Sequence, residues 1–110
     1  MFKYESELQH DLVNHLKSQG FIVFEEIQLK GGYGRADIVA IRPSYAHRDI
    51  RIYEVKNNRG CFLSDDKYLE YQKSCDRLYL ACPKGIVKKD EVPANIGIIT
   101  YSDKGWHTVK

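Results

Sequence analysis

The sequence predicts an α/β domain with a central mixed β-sheet flanked by helices, and three observations lead there. Leu8, Leu12, Val13 and Leu16 recur at helical spacing and form one apolar stripe. Residues 35–41 and 50–56 are two runs rich in Ile, Val and Tyr, joined by a polar stretch with Pro43 and Ser44. They read as antiparallel strands and a loop. Residues 78–82 form an unbroken apolar run after a helix-like segment. The succession from Glu54 to Ala81 therefore reads as strand, helix and parallel strand, with a right-handed crossover.

Taken in order, the first helix covers residues 4–19, and Gly20 stops it. Residues 21–29 read as a first strand with one face well covered. Residues 30–34 are a glycine-rich connection without the lysine spacing of a phosphate-binding loop, so a tight turn into Arg35 accounts for them. After Lys56, residues 57–63 read as a connection that leaves the sheet. Ser64 then reads as the N-cap of a helix running to about Cys75, with Asp65 and Asp66 in its first turn and Lys73 towards its end. Pro83 closes the strand at 78–82, and residues 88–93 form a connection with room for a helical turn. Residues 96–101 are a further strand. Asp103-Lys104-Gly105 suits a hairpin leading to a short edge strand at 106–109.

The 110 residues, 43% hydrophobic and 29% charged, fit one domain spanning 1–110 with a single core. No apolar run approaches a membrane span, and the first residues lack a signal peptide's hydrophobic stretch, so a cytoplasmic protein is expected. Cys61, Cys75 and Cys82 are an odd count without CxxC spacing, which implies no disulfide framework. His10, His15, His47 and His107 are scattered without paired ligand spacing. A net charge of +2 does not by itself announce a nucleic-acid binder, although Lys56, Arg59 and Lys67 gather near the residues that carry the chemistry.

Those residues follow from the register of the two central strands. If Ile41 faces Ile50, then Val39 faces Ile52 and Asp37 faces Glu54, all on one face, with Lys56 two residues further along it. Opposed carboxylates destabilise a ladder unless a cation joins them. A lysine supplies one in part. Mg²⁺ supplies it better, since it is a hard ion taking oxygen ligands, and such a site suits phosphodiester hydrolysis. Lys56 would position the nucleophile or stabilise developing charge. A salt-bridged surface hairpin is the plainer account, and the apolar flanks of both strands weigh against it.

Asp37 followed by Glu54-Val55-Lys56 resembles the PD-(D/E)XK nuclease superfamily, with Ala36 standing where that motif has proline. Residues 34–38, 54–56 and 66–81 together resemble the MmcB-like DNA-repair group within it. The resemblance implies a restriction-endonuclease-like core in αβββαβ order and a DNA substrate. It also implies Mg²⁺, replaceable by Mn²⁺, on Asp37, Glu54 and the Val55 carbonyl. A glutamate on the first helix would complete the acidic site. Glu5 is the candidate because it shares a side with Leu8 and Leu12, and Glu7 is the substitute; the helix dipole alone also explains an acid there. Arg35 would contact a phosphate or pair with a carboxylate. Lys67 and Tyr71, spaced i and i+4, would offer an ammonium and a phenol to the DNA backbone, or be a solvated lysine with a tyrosine packed under it. A homodimer would double a small DNA-gripping surface, with no sequence motif bearing on it. The competing function is a DNA-binding or assembly module that does not cut, and RNA is a third possible target.

Overall fold

A computed structural model describes residues 2–29, 34–44 and 46–110. Helix α1 (Glu5–Ser18) is followed by strands β1 (Ile22–Gln28), β2 (Arg35–Arg42) and β3 (Asp49–Val55). Next come a short helix α2 (Arg59–Ser64), a 3₁₀ segment (Lys67–Ser74) and β4 (Arg77–Pro83). A 3₁₀ turn (Lys89–Glu91), β5 (Gly97–Ser102) and β6 (Gly105–Thr108) complete the chain. The six strands form one mixed sheet in sequential order. β3, β4 and β5 are mutually parallel, and the other pairs are antiparallel. The predicted parallel return from Glu54 to Ala81 is present, with Val55 opposite Ala81.

The sheet has apolar layers on both faces. On one, Leu8, Leu12, Val13 and Leu16 of α1 pack over Ile38, Ala40, Tyr53 and Val55. That is the stripe read from the sequence, and Leu8 and Leu12 are fully buried. On the other face, Tyr68 and Tyr71 of the 3₁₀ segment cover Ile52, Leu78, Leu80 and Ile98. The central register matches expectation, with Ile41 opposite Ile50 and Val39 opposite Ile52.

Three readings of the sequence are corrected. The helix expected from Ser64 to Cys75 is two elements. Asn58 is the N-cap, accepting from the Cys61 N–H at 2.8 Å, so α2 begins inside the supposed connection and Ser64 is its last residue. From Lys67 the chain winds as a 3₁₀ helix, longer than such segments usually run. Three residues per turn align Tyr68 with Tyr71, and both sink into the sheet. In β1 the expected covered face is slight. Ile22, Phe24 and Ile27 are 51%, 46% and 36% exposed, because β1 is an edge strand and little beyond Val23 reaches the core. Most of the glycine-rich connection, residues 30–33, lies outside the described residues. Among the described residues no helix is long and apolar enough to cross a membrane.

Candidate active site

The sheet opens at Asp37. The β1–β2 pairs Glu25–Ile38 and Ile27–Ala36 leave Glu26 across from Asp37, with Glu26 at φ 54°, the one positive φ outside glycine among the described residues. The Asp37 carbonyl accepts a hydrogen bond from the side-chain amide of Gln9 at 3.2 Å. On the other side, the β2–β3 pairing ends at Ile38–Tyr53. One residue on, the Asp37 carboxylate accepts directly from the Val55 N–H at 2.8 Å. A side chain thus takes the place of a ladder bond, and the carboxylate is drawn inward beside β3.

There it meets Glu54, which is only 7% exposed. The two carboxyl groups are near enough to share a proton. Burial, followed by the charge of Asp37, pushes Glu54 up to about 8, while burial also raises Asp37 against the pull of the Val55 N–H. Glu54 Oε2 lies 3.3 Å from Lys56 Nζ. Its Oε1 is buried without a hydrogen-bond donor among the described residues. Two acceptors face each other, and only a proton or a cation can join them.

Lys56 is itself buried at 6% exposure. Burial works against its charge, yet Asp65 at 2.9 Å and Glu54 more than offset this, so its affinity for the proton rises. The Tyr68 ring lies 5.8 Å from the ammonium. Asp65 is held in turn by the Lys67 backbone N–H at 3.0 Å. Its partnership with Lys56 was not legible as a motif, because the two meet through the α2 turn. Gln9, on the helix that carries Glu5, was not legible as a site residue either, because its contact with the Asp37 carbonyl exists only in the folded chain.

The structure separates the two candidate glutamates. Glu5 Oε1 accepts from the Asn57 N–H at 3.3 Å, and its charge reaches Asp37. Glu7 instead accepts from the Tyr4 N–H at 3.0 Å and serves the helix start. The pairing of Lys67 with Tyr71 on one side is corrected, since i and i+4 do not align on a 3₁₀ helix. Lys67 is exposed, whereas Tyr71 is buried, with its hydroxyl donating to the Arg35 carbonyl at 3.3 Å. Arg35 lies exposed at the start of β2, two residues from Asp37.

The donor set suits a hard divalent cation. Asp37 and Glu54 supply carboxylate oxygens, one of them otherwise unpartnered. Val55 points its N–H at Asp37, so its carbonyl faces the same strand edge. Among the described residues no three His, Cys, Asp or Glu side chains cluster to hold a metal. An ion here would rest on two carboxylates, a backbone carbonyl and water, a set that Mg²⁺ accepts.

Comparison with known proteins gives two findings. A family model described as DNA repair protein MmcB-like matches residues 5–109. A solved structure, a protein of unknown function from Silicibacter pomeroyi, superposes with a TM-score of 0.75 at 26% identity, covering 94% of this chain and 67% of that one. No curated protein matches.

Proposed function

This chain belongs to the MmcB-like DNA repair protein family, and on that premise we propose that it is a Mg²⁺-dependent nuclease of the PD-(D/E)XK type that hydrolyses DNA phosphodiester bonds. The observation that carries this reading is the interacting pair of carboxylates, half-buried Asp37 and buried Glu54, with Glu54 Oε1 unpartnered among the described residues and the Lys56 ammonium 3.3 Å from Glu54 Oε2.

Asp37, Glu54 and the Val55 carbonyl would hold the ion, and Mn²⁺ would substitute for Mg²⁺. When bound, the ion polarises the phosphoryl oxygen and acidifies a water. Lys56 keeps its proton under the combined charges of Asp65 and Glu54. It therefore acts as a fixed cation, donating to the attacking water or to the phosphoryl oxygens as negative charge gathers there, and does not serve as a base. Glu5 accepts a hydrogen bond from water at the open side of the acidic pair. Arg35 and Lys67 contact flanking phosphates, and Tyr71 contributes by holding the Arg35 backbone.

The test is incubation with plasmid, single-stranded and branched DNA, with Mg²⁺, Mn²⁺ or chelator. Cleavage that needs the metal and vanishes in Asp37→Ala supports the nuclease. Binding without cleavage on every substrate supports instead a non-cutting DNA-binding or assembly module. A homodimer belongs to the same proposal, because one small domain offers little surface to a duplex; monomeric behaviour in light scattering at high concentration removes it. A cytoplasmic setting suits the three free thiols.

A further inference from the structure

Beside Lys56 lies an open cleft of about 460 Å³, within the range of small-ligand sites. Two of its walls touch the proposed catalytic lysine: Asp65, through the 2.9 Å ion pair, and Tyr68, whose ring lies 5.8 Å from the ammonium. Phe62 and Leu63 of α2 give it an apolar side, and Leu63 is 65% exposed, the most exposed large hydrophobic side chain among the described residues. Asp66 and Glu91 also line it. Glu91 is held by Arg59 and Asp65 by Lys56, while the exposed Asp66 carboxylate has no ion-pair partner among the described residues.

We propose that this cleft receives one unpaired nucleobase of the DNA substrate, beside the phosphate that is cut. The inference rests on the nuclease reading and adds a substrate class to it: strands that are single or splayed at that nucleotide. Charge selects the occupant. With Asp65 paired to Lys56 and Glu91 to Arg59, the Asp66 carboxylate leaves the cleft net negative, so the sugar–phosphate backbone stays outside, near exposed Lys67. A base carries no net charge, and the amino groups of cytosine and adenine donate to carboxylates. Asp66 is the acceptor free to take that bond. The flat faces of the base meet Phe62 and Leu63, a contact available to any base and lost when the base is missing. A base stacked and paired in duplex cannot turn into the cleft without unpairing.

The test uses the whole protein and labelled single-stranded oligonucleotides with an abasic site moved one nucleotide at a time across the cut position. Cleavage is read with Mg²⁺ and binding by fluorescence anisotropy with chelator. The expected result is one position, next to the cut, where base removal lowers cleavage and binding about tenfold, the scale of one stacked base. Leu63→Ser and Asp66→Asn, both surface changes, should flatten that dip, and a circular dichroism spectrum matching the parent confirms their fold. A flat abasic scan in the parent protein overturns the cleft assignment even if the protein cuts. A position-specific dip in binding without any cleavage upholds the cleft and overturns the nuclease reading. No binding and no cleavage on any of these oligonucleotides overturns the cleft assignment, and cleavage of plasmid with Mg²⁺ then decides the nuclease reading separately.

Discussion

Replacing Glu54 with glutamine should stabilise the metal-free protein at alkaline pH while abolishing Mg²⁺-dependent cleavage. Burial and the charge of Asp37 lift Glu54 from an ordinary 4.5 to about 8. Between those values the folded protein holds a proton that the unfolded chain has released. Stability therefore falls as pH rises through that window, and Asp37, raised as well, works in the same direction. At about 1.4 kcal/mol per pH unit, the gap bounds the effect near 5 kcal/mol. Relaxation and water entry reduce the working expectation to about 2–3 kcal/mol. Glutamine imitates the protonated acid, since its amide donates to Asp37 and its oxygen accepts from Lys56. The assay is urea unfolding in chelator at about pH 5 and about pH 9, followed by Trp106, the single tryptophan and a buried one. Parent stability should drop across that range and the Glu54→Gln curve should stay nearly level. A parent curve flat with pH, or a variant weaker than the parent at the alkaline end, would refute the reasoning.

Other outcomes follow from single contacts. Gly34 sits at φ +106°, and an added Cβ would lie 3.0 Å from the Tyr71 hydroxyl, so Gly34→Ala should cost about 1–3 kcal/mol and lower the melting temperature by several degrees. Gln9→Ala frees the Asp37 carbonyl and should weaken Mn²⁺ binding about tenfold, measured by electron paramagnetic resonance titration, with the fold unchanged. Lys67→Ala should weaken binding to all DNA sequences alike and reduce the salt dependence of affinity by about one phosphate contact.

The sheet was legible because its strands repeat a simple alternation. Once Ile41 faces Ile50, the pairing follows as far as Ile38 and Tyr53; Asp37 lies one step beyond the ladder and reaches Val55 through its side chain. α1 was equally plain, since its four apolar positions leave one way to bury the stripe. The segment after Lys56 was misread because Ser64-Asp65-Asp66 has the chemistry of a helix start, and so does Asn58, which is the one the fold uses. Spacing for an α-helix then placed Lys67 beside Tyr71, an error that followed from the wrong helix type. Asp65 and Gln9 stayed hidden as site residues because each acts on a partner that only the folded chain delivers.

The bond from the Asp37 carboxylate to the Val55 amide has an evolutionary consequence. The aspartate works as a wedge that keeps two strands from zipping one step further. A descendant that traded it for a small apolar residue would lose chemistry and gain a tighter seam. Loss of the wedge would run downhill in folding energy, so on the proposed nuclease reading the seam is held open at the expense of stability.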